Sequence, residues 1–487
     1  MKIFEKVTPF SVFIILFSIF GLVFLFQYGV PLDELTQRYI GIINSTFISG
    51  TTDVKTLEEH GYFGPIFESL TYLLEQIIYN SDMYYKILLR HFILFFFFVL
   101  SVIAFYRICL PVFNSRAVAL ATTMVYSLNP IVFAHSFYNS KDTFFMCLLV
   151  YVFYFTMQFI AKRKYKYLIL ASVLLGMACT IRISGMFMAI AVVASLILSG
   201  NTSGLKLRNI ILFGFIAFIS YFIFFPYLWL HPRESLQNLI HYSANNPWPW
   251  NTLAAGQEII AGDLPWWYLF VWMSVGIPVL VLMVSMIGTL FSIKKVNYRE
   301  PFWMITTILF VLPILYFVLG RPTIYNGWRH MQFLHIPVSL FCGYGLLAMG
   351  KKLEKIATLL LGTYSIFVLC IWQPYGYAYF NEGYSVFGKP NTFDQDYWGL
   401  SALPALKHIS NQNSGQIKIW CNTESAEQNA LLLPHAKRNQ LEFVKTSNDA
   451  DYLIWMQRNG LHVDSKQNII YSLKPAKDTL VWVVKKN

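Results

Sequence analysis

Long apolar segments separated by short polar breaks occupy the first three quarters of the chain. Each segment is long enough for a helix to cross the hydrocarbon core of a bilayer, which takes about 20 residues. They lie at about 8–30, 87–110, 117–134, 167–199, 210–229, 266–291, 302–319, 331–349 and 356–372, with one more that ends at Lys162. Because 167–199 has room for two helices, the pattern predicts an α-helical polytopic membrane protein with about eleven transmembrane helices.

The basic residues predict how these helices are oriented. The chain has 487 residues and a formal net charge of +12, yet only 13% of its residues are charged. Lys and Arg are concentrated in the polar breaks, most densely at Lys162–Lys166, as the positive-inside rule requires of cytoplasmic loops. We therefore assign the positive charge to membrane topology, exclude nucleic acid as a partner, and predict a cytoplasmic N-terminus that carries Lys2 and Lys6.

The polar segments divide the chain into three parts. Residues 1–372 form the predicted membrane domain, whose first external loop, 31–86, contains amphipathic patches typical of helices in the interface plane. A connecting segment, 373–399, leads to a polar region at 400–487 with mixed helix and strand signals. These signals predict a small external α/β domain, because an odd number of spans places it on the same side as the first loop.

A single arginine, Arg182, interrupts the apolar segment 167–199. A charge inside a membrane is costly without a partner or a polar cavity. Basic residues lie at both ends of this segment, at Lys166 and Lys206, so both ends are expected to be cytoplasmic. Two short helices that meet near the external surface at Arg182 explain this pattern better than one long helix. The adjoining apolar segments contain no acidic residue, so its partner must come from another segment or from a ligand.

Two adjacent carboxylates, Asp33 and Glu34, follow the first apolar segment directly. One interpretation is structural, because Glu34 and Arg38 are spaced as an i,i+4 pair on a surface helix. The other is catalytic, because a carboxylate near the membrane surface is suited to act as a general base toward an acceptor hydroxyl. The position of the pair alone leaves both interpretations open.

Further charged residues lie in the external breaks. Lys141 and Asp142 form a salt bridge at the start of a helix, or Lys141 binds a phosphate while Asp142 orients it or a sugar hydroxyl. Arg329 and His330 are interfacial side chains that reach toward water, or they bind an anion. An anionic ligand explains why positive charge accumulates on the external side, and arginine suits phosphate because its planar group donates two parallel hydrogen bonds.

Several stretches together resemble the GT-C superfamily of integral membrane glycosyltransferases. Within it, the chain is similar to bacterial relatives of the dolichyl-phosphate-mannose protein mannosyltransferases and of the lipid A aminoarabinose transferases, over roughly residues 1–400. The acidic pair after the first span carries the resemblance most strongly. The other stretches are Asn139–Asp142, Thr180–Gly185, Tyr325–His330 and Asp396–Ser401.

The resemblance implies a sugar donor linked to polyprenyl phosphate, which enters from the bilayer, and transfer at the external, periplasmic face of a bacterial plasma membrane. It implies that Asp33 is the catalytic carboxylate and that Glu34 assists it or binds a divalent metal. It also implies that Lys141, Arg182, Arg329 and His330 hold the lipid phosphate. The other residues of the expected donor site are Asp142, Tyr325 and Asn326.

One departure from the resemblance concerns the acceptor. The C-terminal α/β domain is not the β-trefoil insert of the eukaryotic protein mannosyltransferases, so transfer to protein Ser or Thr is not expected. A lipid, a glycan or a protein remains open as the acceptor. Two other functions also remain open, which are a lipid or anion transporter, including a flippase, and a non-catalytic assembly protein. The sequence contains no Walker, dinucleotide-binding or HExxH signature.

Overall fold

The computed structural model describes residues 8–61, 64–78, 82–199, 203–244, 250–295, 297–457, 463 and 467–486. The basic N-terminal residues used to predict topology lie outside them. The α-helices are α1 Pro9–Phe24, α2 Glu34–Ile48, α3 Val54–His60, α4 Ile66–Glu75, α5 Met83–Phe113, α6 Arg116–Leu128, α7 Pro130–Tyr138, α8 Asp142–Lys162, α9 Tyr165–Ile181, α10 Gly185–Ser199, α11 Ser203–Ile223, α12 Tyr227–Leu230, α13 Pro232–Ala244, α14 Tyr268–Gly276, α15 Val279–Lys295, α16 Pro301–Gly320, α17 His335–Ala348, α18 Lys351–Trp372, α19 Glu382–Phe387, α20 Ala402–Gln412, α21 Ser425–Ala430 and α22 His435–Arg438. The strands are β1 Asn251–Ala254, β2 Gln257–Ile260, β3 Ile417–Cys421, β4 Leu441–Phe443, β5 Tyr452–Met456, β6 Ile469–Leu473 and β7 Val481–Lys485.

Each predicted apolar segment contains a helix or a pair of helices, which identifies an integral membrane protein. Among the described residues, however, only six helices are long and apolar enough to cross a membrane, or seven if α6 and α7 form one bent span. These two helices meet at 59°, where Pro130 begins α7. Proline also separates α14 from α15, because Pro278 cannot donate a backbone hydrogen bond. On helix length, the expected count of eleven is therefore not reached.

The predicted hairpin around Arg182 is confirmed. Helix α9 ends at Ile181 and α10 begins at Gly185, so that Arg182 lies in the break between them. The basic cluster Lys162–Lys166 lies at the opposite end of α8 and α9. The break with Arg182 and the start of α8 at Asp142 therefore share one end of the helix bundle.

Glycine allows α15 and α17 to approach closely. A Cβ atom at Gly288 would lie 1.8 Å from the carbonyl oxygen of Phe341, and one at Gly345 would lie 2.2 Å from that of Val284. Any larger residue at either position would push the two backbones apart. These two helices form part of the scaffold beneath the loop that contains Arg329.

The predicted first loop contains α2, α3 and α4. Helix α4 buries its polar residues Glu68, Thr71 and Glu75, whereas Leu73 on its other side is 58% exposed. The polar face of α4 is therefore directed into the protein, while its location in the interface plane stays a prediction. The buried carboxylates therefore require partners, which the neighbouring helices supply.

The predicted C-terminal α/β domain is confirmed. Its five strands lie in the order β4-β3-β5-β7-β6, with β3 parallel to β4 and β5, and β7 antiparallel to β5 and β6. Helix α20 packs on the sheet, and α21 packs against α20. The domain also contacts the first loop, because Arg438 forms an ion pair with Asp82 at 3.2 Å.

Helix α19 joins the last membrane helix to this domain. The Glu382 carboxylate at its start accepts hydrogen bonds from the Val279 backbone N–H (3.3 Å) and the Tyr364 hydroxyl (2.8 Å). Val386 and Phe387 at its end are 67% and 87% exposed. The connecting segment is therefore attached to α15 and α18.

Candidate active site

The adjacent carboxylates Asp33 and Glu34 lie in different surroundings. Asp33 is the N-cap of α2 and its side chain is exposed, whereas Glu34 is only 3% exposed. The surface pair between Glu34 and Arg38 is not formed, because the Nε atom of Arg38 binds Glu75 at 2.7 Å. Asp33 is therefore the member of the pair that a substrate can reach.

Glu34 instead belongs to a buried ionic network centred on Arg90 of α5. The guanidinium of Arg90 forms ion pairs with Glu34 and Glu68, donates a hydrogen bond to the Thr71 hydroxyl at 2.8 Å, and lies 3.8 Å from Glu75. Burial raises the pKa of Glu34, and the charge of Arg90 opposes this shift. The network attaches the start of α2 to α4 and α5. It therefore holds in place the helix whose N-cap is Asp33.

A second cluster of charges surrounds Asp142 at the start of α8. Its carboxylate forms an ion pair with Arg182, lies 3.6 Å from Nη1 of Arg329, and accepts a hydrogen bond from the Asn139 side chain at 3.0 Å. Arg182 thus finds its partner in another segment. Asp142 connects two arginines that are far apart in the sequence.

Lys141 and His330 lie in the same cluster. The charges of Asp33, Arg182 and Arg329 all act on Lys141, and those of Lys141 and both arginines act on His330. Burial lowers the pKa of Lys141 to about 8, and Asp33 opposes this shift. Lys141, Arg182, Arg329 and His330 thus form one cluster from three segments, and the exposed carboxylate of Asp33 lies within electrostatic range of Lys141 and Arg329.

The two arginines retain donors that no residue uses. Within the described parts of the chain, the buried Nε atoms of Arg182 and Arg329 have no hydrogen-bond acceptor. The guanidinium of Arg329 lies against the rings of Tyr325 and Trp398, at 5.0 and 4.7 Å from their centroids. Buried polar atoms are normally satisfied, so an anionic ligand with several oxygens suits this cluster.

The loop 325–330 places three of the predicted residues. The Tyr325 ring makes an edge-to-face contact with His330 at 4.7 Å, in addition to its contact with Arg329. Asn326 and Gly327 both have positive φ, of 55° and 76°, a conformation that asparagine tolerates and glycine adopts freely. Asn326 thus shapes the turn that directs Arg329 and His330 into the cluster.

Several supporting residues were not predicted. The Trp398 indole donates a hydrogen bond to Nε2 of His135 at 3.3 Å, and the other ring nitrogen of His135 bonds Gln332 at 2.8 Å. Asp396 accepts hydrogen bonds from two backbone N–H groups, those of Leu400 (2.9 Å) and Ser401 (2.7 Å). The segment containing Asp396 and Trp398 contributed to the family resemblance, which was a signal that it borders the site.

The surroundings of Asp33 do not fit a divalent metal. Among the described residues, no group of three or more His, Cys, Asp or Glu side chains is arranged to hold a metal ion. Glu34 is engaged by Arg90, and Asp33 interacts electrostatically with the cations Lys141 and Arg329. These cations oppose a bound metal, so no step below involves one.

The chain is similar to known proteins in part of its sequence and in its fold. A family model described as dolichyl-phosphate-mannose-protein mannosyltransferase matches residues 88–230, which include Lys141, Asp142 and Arg182. No curated protein matches the sequence. The fold matches the apo structure of ArnT from Cupriavidus metallidurans, with a TM-score of 0.52, 11% identity and coverage of 98% of both chains. It also matches the structure of that ArnT bound to undecaprenyl phosphate, with a TM-score of 0.51, 12% identity and coverage of 82% of this chain and 70% of the other.

The fold is therefore similar to that of ArnT, as the resemblance to the lipid A aminoarabinose transferases predicted. The likeness extends over nearly the whole chain, which includes the C-terminal domain as well as residues 1–400.

Proposed function

We propose that this protein is a membrane glycosyltransferase that moves a sugar from a polyprenyl-phosphate donor to an acceptor hydroxyl. One observation carries the proposal, namely that an exposed carboxylate, Asp33, lies within electrostatic range of Lys141 and Arg329, which belong to a cluster of basic side chains supplied by distant segments. A glycosyl transfer needs both a base for the acceptor and fixed cations for the departing phosphate.

The proposed reaction is a single inverting displacement. The Asp33 carboxylate takes the proton of the acceptor hydroxyl while that oxygen forms a bond to the anomeric carbon. The bond between the anomeric carbon and the phosphate oxygen breaks, and the phosphate leaves with the electron pair. Lys141, Arg182 and Arg329 stabilise the negative charge that develops on the phosphate.

The identity of the donor is supported by the comparisons. The ArnT structure to which this chain is similar is bound to undecaprenyl phosphate, which is the kind of lipid phosphate that a polyprenyl-phosphate donor releases on transfer. The unused Nε donors of Arg182 and Arg329 agree with such an anion. A polyprenyl chain also suits a site that is formed at the end of membrane helices.

The external location of the reaction rests on the basic residues. Asp142 and Arg182 lie at the end of α8 and α9 opposite to Lys162–Lys166. Cytoplasmic loops are enriched in Lys and Arg, so the reacting end is proposed to face the external side of a bacterial plasma membrane.

The test is to purify the protein, supply sugars linked to polyprenyl phosphate, and measure the release of free lipid phosphate. We expect release by the wild type, loss of about 100-fold or more in Asp33→Asn, and weaker donor binding in Arg182→Ala. Asp263→Asn, which changes another exposed aspartate, is the control and should leave release unchanged. Full activity of Asp33→Asn would exclude Asp33 as the base. Lipid movement in vesicles without any release would favour a flippase.

A further inference from the structure

The C-terminal domain contacts the backbone that leads to Asp33. Asn429 of α21 is fully buried and pairs with both backbone groups of Val30. Its Oδ1 atom accepts a hydrogen bond from the Val30 N–H, and its Nδ2 group donates one to the Val30 carbonyl oxygen, both at 2.9 Å. The Asn429 side chain therefore satisfies both backbone hydrogen-bonding groups of Val30, as a neighbouring β-strand would.

The same amide group is bound on its other side by the C-terminal region. The Nδ2 group of Asn429 also lies within hydrogen-bond distance of the carbonyl oxygens of Gly399 (3.2 Å) and Ser425 (2.8 Å). The approach to the loop is close, because a Cβ atom at Gly29 would lie 2.2 Å from Oδ1 of Asn429. Asn429 is thus fixed in position and leaves the Val30 backbone little freedom.

Leu32, which directly precedes Asp33, is held in the same way. The Gln428 side chain donates a hydrogen bond to the Leu32 carbonyl oxygen at 3.1 Å, and the Leu32 N–H donates one to the carbonyl oxygen of Trp398 at 3.0 Å. Between Val30 and Leu32 stands Pro31, which has no N–H group. Every N–H group from Val30 to Leu32 is therefore bound by residues of 398–429.

Trp398 connects this segment to the cationic side of the site. Its carbonyl oxygen holds Leu32, while its ring lies against the guanidinium of Arg329. One short stretch that leads into the C-terminal domain thus contacts both the segment of the proposed base and a ligand of the proposed phosphate. A domain that only docked on the protein surface would have no reason to make both contacts.

We propose that the C-terminal domain completes the active site, and that Asn429 and Gln428 are positioning residues that hold Asp33 at its working distance from the phosphate cluster. This inference rests on the proposed glycosyl transfer, since it assigns a task to Asp33. A displacement of about 1 Å at a reacting group can cost about 100-fold in rate. Neither residue touches the substrate, and both act through the backbone of Val30–Leu32.

The test combines hydrogen exchange with kinetics in the full-length protein. Gln428→Ala removes only the contact with Leu32. Its Oε1 atom has no partner among the described residues, so folding should be preserved. Asn429→Asp removes the donor to Val30 and puts a charge against three carbonyl oxygens. Glu427→Ala changes an exposed residue of the same helix and is the control.

We expect both variants to raise amide exchange in 28–35 by about tenfold while the sheet β3–β7 keeps its protection. With a polyprenyl-phosphate sugar as substrate, kcat should fall about 10-fold in Gln428→Ala and further in Asn429→Asp. The KM for the donor should stay unchanged in Gln428→Ala, because the phosphate cluster is intact.

Other results would overturn the inference. Wild-type exchange in 28–35 in both variants means that these side chains do not hold the segment. Faster exchange with unchanged kcat means that the segment does not need to be held. Loss of protection throughout β3–β7 in both variants indicates a structural role only. Failure of the wild type to release lipid phosphate would instead reject the proposed function, while the exchange data still decide whether the segment is held.

Discussion

Removal of Arg90 should destabilise the protein more than any single change at its surface. The guanidinium of Arg90 is 1% exposed and forms ion pairs with Glu34 and Glu68, which are themselves almost fully buried. In Arg90→Met these carboxylates would lose their neutralising partner, together with the hydrogen bond to Thr71. The methionine fills most of the volume, so the change is mainly electrostatic.

The magnitude follows from the cost of an unpaired buried charge. Breaking a buried pair by removing one partner costs about 3–5 kcal/mol, which for a chain of this length corresponds to a fall of about 3–5 °C in melting temperature. The network has three carboxylates for the two guanidiniums of Arg38 and Arg90. Burial already raises the pKa of Glu34, and loss of Arg90 raises it further.

This pKa shift predicts a dependence on pH. A carboxyl group whose pKa is higher in the folded state binds its proton more tightly there than in the unfolded chain. The folded variant is therefore favoured at low pH and loses stability as the pH rises through the raised pKa. Arg90→Met should come closest to wild-type stability in acid, and Arg90→Met/Glu68→Gln should recover part of the loss at neutral pH.

The assay is thermal unfolding in detergent, followed by tryptophan fluorescence across a pH series. Arg107→Met is the matched control, because Arg107 lies on the same helix and is exposed; it should change stability by less than about 0.5 kcal/mol. If Arg90→Met had the same melting temperature as Arg107→Met, the network would not have the energetic role assigned to it. The same would follow if adding Glu68→Gln to Arg90→Met restored none of the lost stability.

Three more predictions concern the site and its scaffold. Asp33→Asn should abolish turnover with little change in melting temperature because Asp33 is exposed, whereas Glu34→Gln should lower the melting temperature. If Glu34→Gln abolished turnover and Asp33→Asn lowered the melting temperature, Glu34 would be the base and Asp33 the structural residue. Donor affinity should fall as the pH rises through about 8, because Lys141 then loses its charge, and Lys141→Arg should remove this dependence. If donor affinity in Lys141→Arg still fell with rising pH as in the wild type, Lys141 would not be the residue responsible. Gly288→Ala should lower the free energy of unfolding by about 1–3 kcal/mol, because the added methyl group overpacks against α17. Gly214→Ala should raise it by about 0.5–1 kcal/mol, because nothing lies within 4 Å of an added Cβ atom there and alanine favours the helix. Equal effects of the two substitutions would contradict the close contact at Gly288.

The sequence predicts the helices well because the bilayer imposes a strong apolar pattern. The hairpin at Arg182 and the α/β domain follow from that pattern and from the change in composition after 373. Lys141, Arg182 and Arg329 meet because helix ends on one side of a membrane form a common layer. Fewer described helices than expected are long enough to span by themselves, because α1, α9 and α10 are short apolar helices and because Pro130 and Pro278 divide two other apolar segments.

What the sequence could not predict depends on pairing between segments. Glu68 and Glu75 lie within an amphipathic stretch, and only the packing of α4 against α5 turns them toward Arg90. Arg182 was expected to need a partner, yet the choice of Asp142 required the geometry of two helix ends. The bond between Asn429 and Val30 joins residues 399 positions apart, and local patterns contain no information about such contacts.

The attachments of the C-terminal domain have a mechanical consequence. The domain and its connecting segment are bound to the rest of the molecule at three separate elements, through Glu382, Asn429 and Arg438. A domain attached at three elements has less freedom to swing than one attached by a single linker. If the proposed function holds, donor and acceptor therefore enter through local openings at the bilayer edge and not through a movement of the whole domain.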